Sequence, residues 1–430
     1  MASRAKKRGA ERRKEARVFW EERFKKETSL DVIAVDEMFT YHDTAKDGGK
    51  RNGRIQGVLG ITDRHVPDVN TRGVVDLYVS RMFIAGGNRE VLPPWARFIQ
   101  GVIECDALTP NAARDDVVRN DALTTARVAL AKVIINHLIG LSREDPRRLT
   151  EIMRSHSYHV LAMCVQDEYE DFFLAVADIV PLESDQGPLT VPEYVAKASR
   201  LPDGKHMVYF ITERGSANQF YVLCAARGLR VFNTAEPFAE RFLERYQRVW
   251  PSKIHLSRLD VAGSDTIFEP LEEAEQQTYR DLEAAYGSIF PDLRCIARIA
   301  RYKPKEVPAV LTETRDHKTR REMEDLVQNP SLPAYLRDIV GRFASEKRDP
   351  LTLHLNADNP AVQMLAKRPT LRDDVGRNAL IAMYNNALML LARAIDPENV
   401  RIMFDQYNHV IELMLGGAES ASSSSATGRR

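Results

Sequence analysis

At 430 residues the chain has room for about three domains of roughly 150 residues each. Its 61 Lys and Arg balance 61 Asp and Glu, so it is no polycation, and 44 % apolar with 28 % charged residues is a globular composition. No apolar run approaches the ~18–20 residues of a transmembrane helix, the start Met1-Ala-Ser-Arg-Ala-Lys-Lys-Arg8 lacks a signal-peptide core, and Cys105, Cys164, Cys224 and Cys295 show no paired spacing. These features exclude membrane-protein, secreted-scaffold and zinc-finger readings and leave a reducing cytoplasm as the expected location.

Residues 4–17 hold eight Lys and Arg against two Glu. Phe19, Trp20 and Phe24 follow at helical spacing, which makes a charged helical lead-in over 1–29 the better reading than a nucleic-acid arm. Two alternating segments, Leu30–Tyr41 and Arg54–Ile61, flank a Gly/Lys-rich turn and predict an antiparallel pair. Val74–Ile84 reads as a third strand, and from Pro93 onward the pattern reads as helical. Long helical periodicity over 117–142 is followed by shorter helices at 146–155, 159–164 and 168–180, then a short helix and loop at 191–203. Strand His206–Thr212, a helix at 216–227, strand Leu229–Asn233 and helix Pro237–Trp250 predict a parallel unit with a right-handed crossover.

Beyond an acidic stretch at 262–276 the pattern gives a helix over 267–287, a strand pair at 292–301 and 307–313, a helix near 318–328 and a strand at 350–355. Helix 377–395 carries apolar side chains around most of its circumference. Helix 398–415 carries a stripe, and a helical hairpin shared between two copies would cover both. The expected interface residues are Leu380, Met383, Leu388, Leu391, Phe404, Tyr407 and Ile411. The Ser-rich residues 418–430 read as a disordered tail.

No self-contained active site is legible. Gly48–Arg54 lacks the helix of a phosphate loop and reads as a hairpin turn. His156 and His159 have only apolar neighbours at helical spacing, so no metal site is expected, and Cys164 reads as a buried structural thiol. Asn111-Ala-Ala-Arg-Asp-Asp116 reads as a helix start capped by Asn111. Arg114 in that turn is either paired with the two aspartates or held out to meet a phosphate on another domain.

Val75-Asp-Leu-Tyr-Val-Ser-Arg-Met-Phe-Ile84, followed by Leu92-Pro-Pro-Trp-Ala-Arg-Phe-Ile-Gln-Gly-Val-Ile-Glu-Cys-Asp-Ala-Leu-Thr-Pro-Asn-Ala-Ala-Arg114, resembles the middle domain of the 90-kDa heat-shock protein chaperones. Their bacterial member is high-temperature protein G. Glu193-Tyr-Val, Met207–Thr212 and Gly228-Leu-Arg-Val resemble the second half of that domain. Arg301–Thr312 and Leu351–Val362 resemble the C-terminal dimerisation domain.

The resemblance implies an α/β (α+β) multidomain fold. A middle domain over 30–262 would comprise a large α/β part (30–145), a helical connector (146–203) and a small α/β part (204–262), followed by a dimerisation domain over 267–417. It implies a homodimeric chaperone that binds partly folded client proteins. Arg114 would be the catalytic-loop arginine that reaches the ATP γ-phosphate, with Asn111 supporting the loop. No cofactor is expected in this chain. ATP and Mg are implied only through an N-terminal ATP-binding domain, whose motifs do not occur here, leaving it removed, separately encoded or naturally absent. Ala113, Asp115 and Val118 depart from the family's serine, glutamate and glutamine, the last putting efficient hydrolysis in doubt. The client-presenting loop is shortened to His65–Asn70, and the tail Thr-Gly-Arg-Arg430 favours a bacterial-type member. An ATP-independent holdase or scaffold is the alternative.

Overall fold

The computed structural model describes residues 2–24, 29–43, 48–63, 72–212, 219–259, 266–289, 295–312 and 351–390. The helices expected near 318–328 and over 398–415, the loop His65–Asn70 and the tail 418–430 lie outside them. The chain divides into two compact units, residues 1–206 with 236–254, and residues 207–235 with 255–430. Helices and mixed sheets in both give the expected α+β class.

The first unit is built on strands β1 (Ser29–His42), β2 (Lys50–Thr62), β3 (Val74–Val79), β4 (Met82–Asn88) and β5 (Ile99–Cys105), in the order β1-β2-β5-β3-β4. The β3–β5 pair is parallel and the other pairs are antiparallel. The β1–β2 hairpin matches its alternating pattern. Two expectations change. Val74–Ile84 is not one strand but a hairpin, because Ser80 and Arg81 take φ of 47° and 66° and turn the chain back. Residues 99–105, expected to be helical, form the middle strand, with Ile99, Gly101, Ile103 and Cys105 buried in strict alternation.

Helices cover both faces of β1. Helix α1 (Ala2–Arg23) lays Ala16 and Trp20 on Val32, with Ala34, Val58 and Phe24 packed alongside. Phe19 points to solvent, contrary to the apolar stripe expected of it. Its arginines meet the acidic side chains of the sheet, Arg12 with Asp36 at 2.8 Å and Arg23 with Asp76 at 3.0 Å. Gly60 makes this seat possible, since a Cβ there would stand 2.3 Å from the Trp20 ring.

Helix α2 (Asp121–Glu144) packs on β1 through Leu123, Leu130, Ile134 and Leu138. By length and composition this helix is apolar enough to cross a membrane, contrary to the opening expectation. Its apolar residues are not one run but a stripe interrupted by Arg127, Lys132 and His137, and the stripe lies in the core of the unit. His137 Nε2 sits 2.8 Å from Asp31 Oδ2.

Four shorter helices follow: α3 (Pro146–Ser155), α4 (Ser157–Cys164), α5 (Glu170–Val176) and α6 (Val191–Val195). A capping box closes α6, with Thr190 and Glu193 satisfying each other's backbone N–H.

Strand β6 (His206–Ile211), helix α7 (Gln219–Ala226) and strand β7 (Phe232–Asn233) form the expected parallel unit, and β8 (Ile254–Arg258) adds a strand that was not foreseen. Helix α8 (Ala239–Val249) does not close this unit. It belongs to the first unit, where Phe242 meets Phe173, the Tyr246 hydroxyl donates to Asp178 at 2.6 Å, and buried Arg245 donates to the Cys164 and Gln166 carbonyls.

The second unit continues with β9 (Glu269–Pro270), α9 (Glu273–Ile289), β10 (Cys295–Arg301), β11 (Ala309–Thr312), β12 (Leu351–Asn356), α10 (Pro360–Ala366) and α11 (Asp374–Leu390). β10 and β11 are not neighbours as expected, because β12 inserts between them, parallel to β10 and antiparallel to β11. All six β12 residues are buried, so an insertion into the sheet centre is what its apolar run Leu351-Thr-Leu-His-Leu355 requires. Asn359 caps α10, with Pro360 at the first helical position, as expected. One apolar cluster joins Phe220, Leu223 and Val231 to Ile267, Phe268, Tyr302 and Val310.

Two consequences are measurable. Gly60→Val drives a side chain into the Trp20 ring, so trypsin is expected to cut more quickly within 12–23 while the sheet stays folded. Unchanged cleavage would show that another contact seats α1. Burial alone would raise the Asp31 carboxyl, but its bond to His137, the N–H of Val32 and the Arg148 charge together hold it below the ordinary range. The stabilisation is therefore full above the unfolded Asp value of about 4 and is lost as pH falls through the lowered folded value. Asp31→Asn is expected to flatten this acid limb in denaturant titrations between about pH 6 and 3, and an unaltered slope would contradict the assignment.

Candidate functional site

Strand β5 runs directly into the segment that carries Arg114. Thr109 accepts from the Val118 N–H at 2.8 Å, Pro110 bridges Val117 in antiparallel sense, and the Asn111 N–H donates to the Asp116 carbonyl at 2.8 Å. The segment is thus a closed hairpin-like loop, not the start of α2. The helix begins ten residues later than Asn111, where Asn120 accepts from the Leu123 N–H at 3.1 Å. Asn120 is the true N-cap, and Asp115 and Asp116 lie outside the helix.

Asn111 has a different function from the cap expected of it. Its Oδ1 accepts from the N–H groups of Asp115 at 3.2 Å and Asp116 at 3.4 Å, and its Nδ2 donates to the Asp115 carboxylate at 2.8 Å. The Asn111 carbonyl takes the Arg114 N–H at 3.1 Å. One side chain therefore holds the tip of the loop from inside.

Asp116 Oδ1 accepts from its neighbour Val117 N–H at 2.8 Å and from Asn88 Nδ2 at 2.9 Å. Both aspartates are occupied by other donors, and Arg114 makes no ion pair with either of them or with any other carboxylate among the described residues. Local pairing of Arg114 with the two aspartates is not seen among the described residues.

Arg114 has φ +59°, the left-handed region, which costs a non-glycine residue about 1 kcal/mol. Its side chain is exposed. A planar, permanently charged guanidinium presented without a counter-carboxylate suits a phosphate or carboxylate brought from outside. Val118, where the resemblance places a glutamine, is 42 % exposed, and its side chain offers no hydrogen bond. Asn88 behind the loop had no sequence signal, because its partner Asp116 lies 28 positions along the chain.

The remaining candidates are structural. His156 is buried, stacked on Phe98, with Nε2 2.6 Å from the Thr62 carbonyl. Burial pushes the Cys164 thiol far up, away from nucleophilic use. Among the described residues no group of three His, Cys, Asp or Glu side chains is placed to hold a metal ion.

The expected dimer residues fall into three groups. Leu380 and Met383 are buried in the second unit's own core, with Leu355, Val362 and Tyr384. Leu388 is half-buried against the same cluster. Leu391, Phe404, Tyr407 and Ile411 lie outside the described residues. The apolar side chains that α11 does expose are Val375, Met389 and Leu390.

Comparison with known proteins supplies the family. A family model described as Hsp90 protein matches residues 66–428, most of the chain and all of the Arg114 loop. Proteins named "Chaperone protein HtpG" are similar to it. That of Oleidesulfovibrio alaskensis is 22 % identical, with 75 % of this chain and 51 % of that protein aligned. Those of Mycolicibacterium vanbaalenii and Rhodopseudomonas palustris are 23 % and 29 % identical, covering 42 % and 39 % of this chain and 27 % of each relative. The chain therefore spans about a quarter to a half of the length of the relatives it matches. With the family's model running through both units and the Arg114 loop, the chain belongs to the Hsp90 protein family.

Proposed function

We propose that this chain is the middle and C-terminal part of a cytoplasmic homodimeric molecular chaperone. It binds partly folded client proteins and supplies Arg114 to the γ-phosphate of ATP held by an N-terminal ATP-binding domain. The observation that carries the reading is the loop itself: a left-handed, exposed Arg114 whose neighbouring carboxylates are engaged elsewhere. A preorganised cation needs no rearrangement when charge develops on a transferring phosphoryl group, which is where such an arginine accelerates the reaction. The curated relatives carry the name chaperone, which supports the assignment to protein folding and the stress response.

The second reading, an ATP-independent holdase or scaffold, is favoured by one observation, the exposed Val118 in place of a polar side chain beside the arginine. The two readings separate on one measurement. The ATP-binding domain of an Hsp90-family protein is mixed with this chain, and turnover is followed as the chain is titrated. Stimulation is expected, and Arg114→Ala is expected to reduce it by at least ~10-fold. Stimulation that survives the substitution removes Arg114 from the mechanism. Complete lack of stimulation, combined with suppressed aggregation of a denatured client, is the result of the holdase reading.

The dimer face follows from exposure. Leu380→Ala is expected to cost about 2–5 kcal/mol of the chain's own stability, as a buried leucine does. Replacing exposed Met389 and Leu390 by glutamate is expected to give folded monomers in sedimentation equilibrium. A dimer that persists would place the interface elsewhere.

A further inference from the structure

The Arg114 loop is closed from within by Asn111, but a closed loop can still swing about its stem, and what stops it comes from a different part of the sheet. Strand β4 ends at Asn88, a polar side chain only 6 % exposed. Its Oδ1 accepts from the N–H groups of Glu90 at 3.0 Å and Val91 at 3.1 Å, folding the chain into a turn after the strand. That leaves the amide nitrogen, which donates to Asp116 Oδ1 at 2.9 Å, two residues from Arg114.

The same turn carries Glu90. Its carboxylate faces Arg72 at 3.4 Å, Arg119 at 3.5 Å and Arg127 at 3.7 Å, and its carbonyl accepts from Arg127 Nε at 3.0 Å. The turn at 88–91 thus grips the loop before and behind Val117, through Asp116 and Arg119. Of these contacts the Asn88–Asp116 bond is part-buried and starts from a buried amide, whereas Arg119 is 80 % exposed and its pairing is weak in water.

We infer that Asn88 is the positioning residue of this site: its amide strut to Asp116 fixes the direction in which Arg114 projects. The inference rests on the reading of Arg114 given above. An asparagine is needed here because the position must accept two backbone N–H groups and donate to a carboxylate at once. An aspartate would keep both acceptor bonds and lose the donor, bringing two carboxylates face to face.

That difference separates a positioning role from a structural one. Asn88→Asp retains the turn and breaks only the strut. Adding Asp116→Asn gives the pair an amide donor and a carboxylate acceptor again, with the sense reversed. Turnover of the ATP-binding domain of an Hsp90-family protein is measured with saturating chain, alongside amide exchange of the 109–118 segment by mass spectrometry.

Asn88→Asp is expected to lower the stimulated kcat at least fivefold. The KM for ATP and the half-saturating chain concentration should stay within twofold, and exchange in 109–118 should rise about tenfold. The double variant should recover at least half of the lost kcat. Exchange that does not change overturns the strut. Raised exchange with unaltered kcat overturns the positioning role. Loss of kcat without recovery in the double variant, with equally lowered melting temperatures, shows a structural part only and also overturns it. Arg114→Ala, run in parallel without effect on turnover, overturns the reading of Arg114 instead, and the exchange result still decides the strut.

Discussion

Asn111 places both ends of its carboxamide against its own loop, and this use of one side chain governs the chemistry of the site. Its Oδ1 satisfies two N–H groups at the tip, and its Nδ2 holds the Asp115 carboxylate. Asp116 is held by Val117 and Asn88. Two carboxylates next to an arginine in the chain would ordinarily neutralise it. Here both are turned to other donors, so the Arg114 guanidinium stands without a carboxylate partner among the described residues. Each hydrogen bond contributes about 1 kcal/mol net, enough together to offset the ~1 kcal/mol of left-handed backbone at Arg114.

The loop is tied to the sheet beneath it by backbone bonds at its stem and by Asn88 from β4. β5 leads into it from the middle of a five-stranded sheet, with β2 and β3 on its two sides, and α2 leaves it on the other. The layers of the first unit explain why β5 is fixed: α2 covers one side of β1, and α1 covers the other through Trp20 over Gly60. A functional arginine on a loop needs such support, because a misplacement of about 1 Å can cost a hundredfold in rate. Packing of the sheet, capping of α2 by Asn120 and the turn at Asn88 all bear on the loop that carries Arg114.

Much of this architecture was legible in the residues. Period-two alternation found the β1–β2 hairpin, helical period found α2 and the short helices after it, and the β6–α7–β7 unit followed from its strand–helix–strand spacing. Where the reading failed, the reason was a local conformation with no compositional mark. Ser80 and Arg81 take positive φ without glycine, so one strand became two. β5 carries Gly101 and alternating polar residues, which weakens its apolar signal although it is the central strand. The misplaced helix start came from two asparagines nine positions apart, Asn111 and Asn120, both chemically able to cap. Long-range partners were invisible: β12 between β10 and β11, Asn88 against Asp116, and Leu380 in the core of its own unit. The segment 377–395 read as apolar all round because α11 buries Leu380 and Met383 within its own unit and leaves Met389 and Leu390 exposed. The role proposed for Arg114 rests on the family resemblance together with its exposed, left-handed position.

The central claim is that a preset Arg114 meets the γ-phosphate of a nucleotide held on another domain. The most direct test is NMR of the chain with arginine side chains labelled, mixed with the ATP-binding domain of an Hsp90-family protein. Spectra are taken with a non-hydrolysable ATP analogue and then with ADP. The account predicts that the Arg114 guanidinium resonance shifts with the ATP analogue and returns to its free position with ADP. Equal shifts with both nucleotides, or a shift at other arginines while Arg114 stays in place, would contradict it.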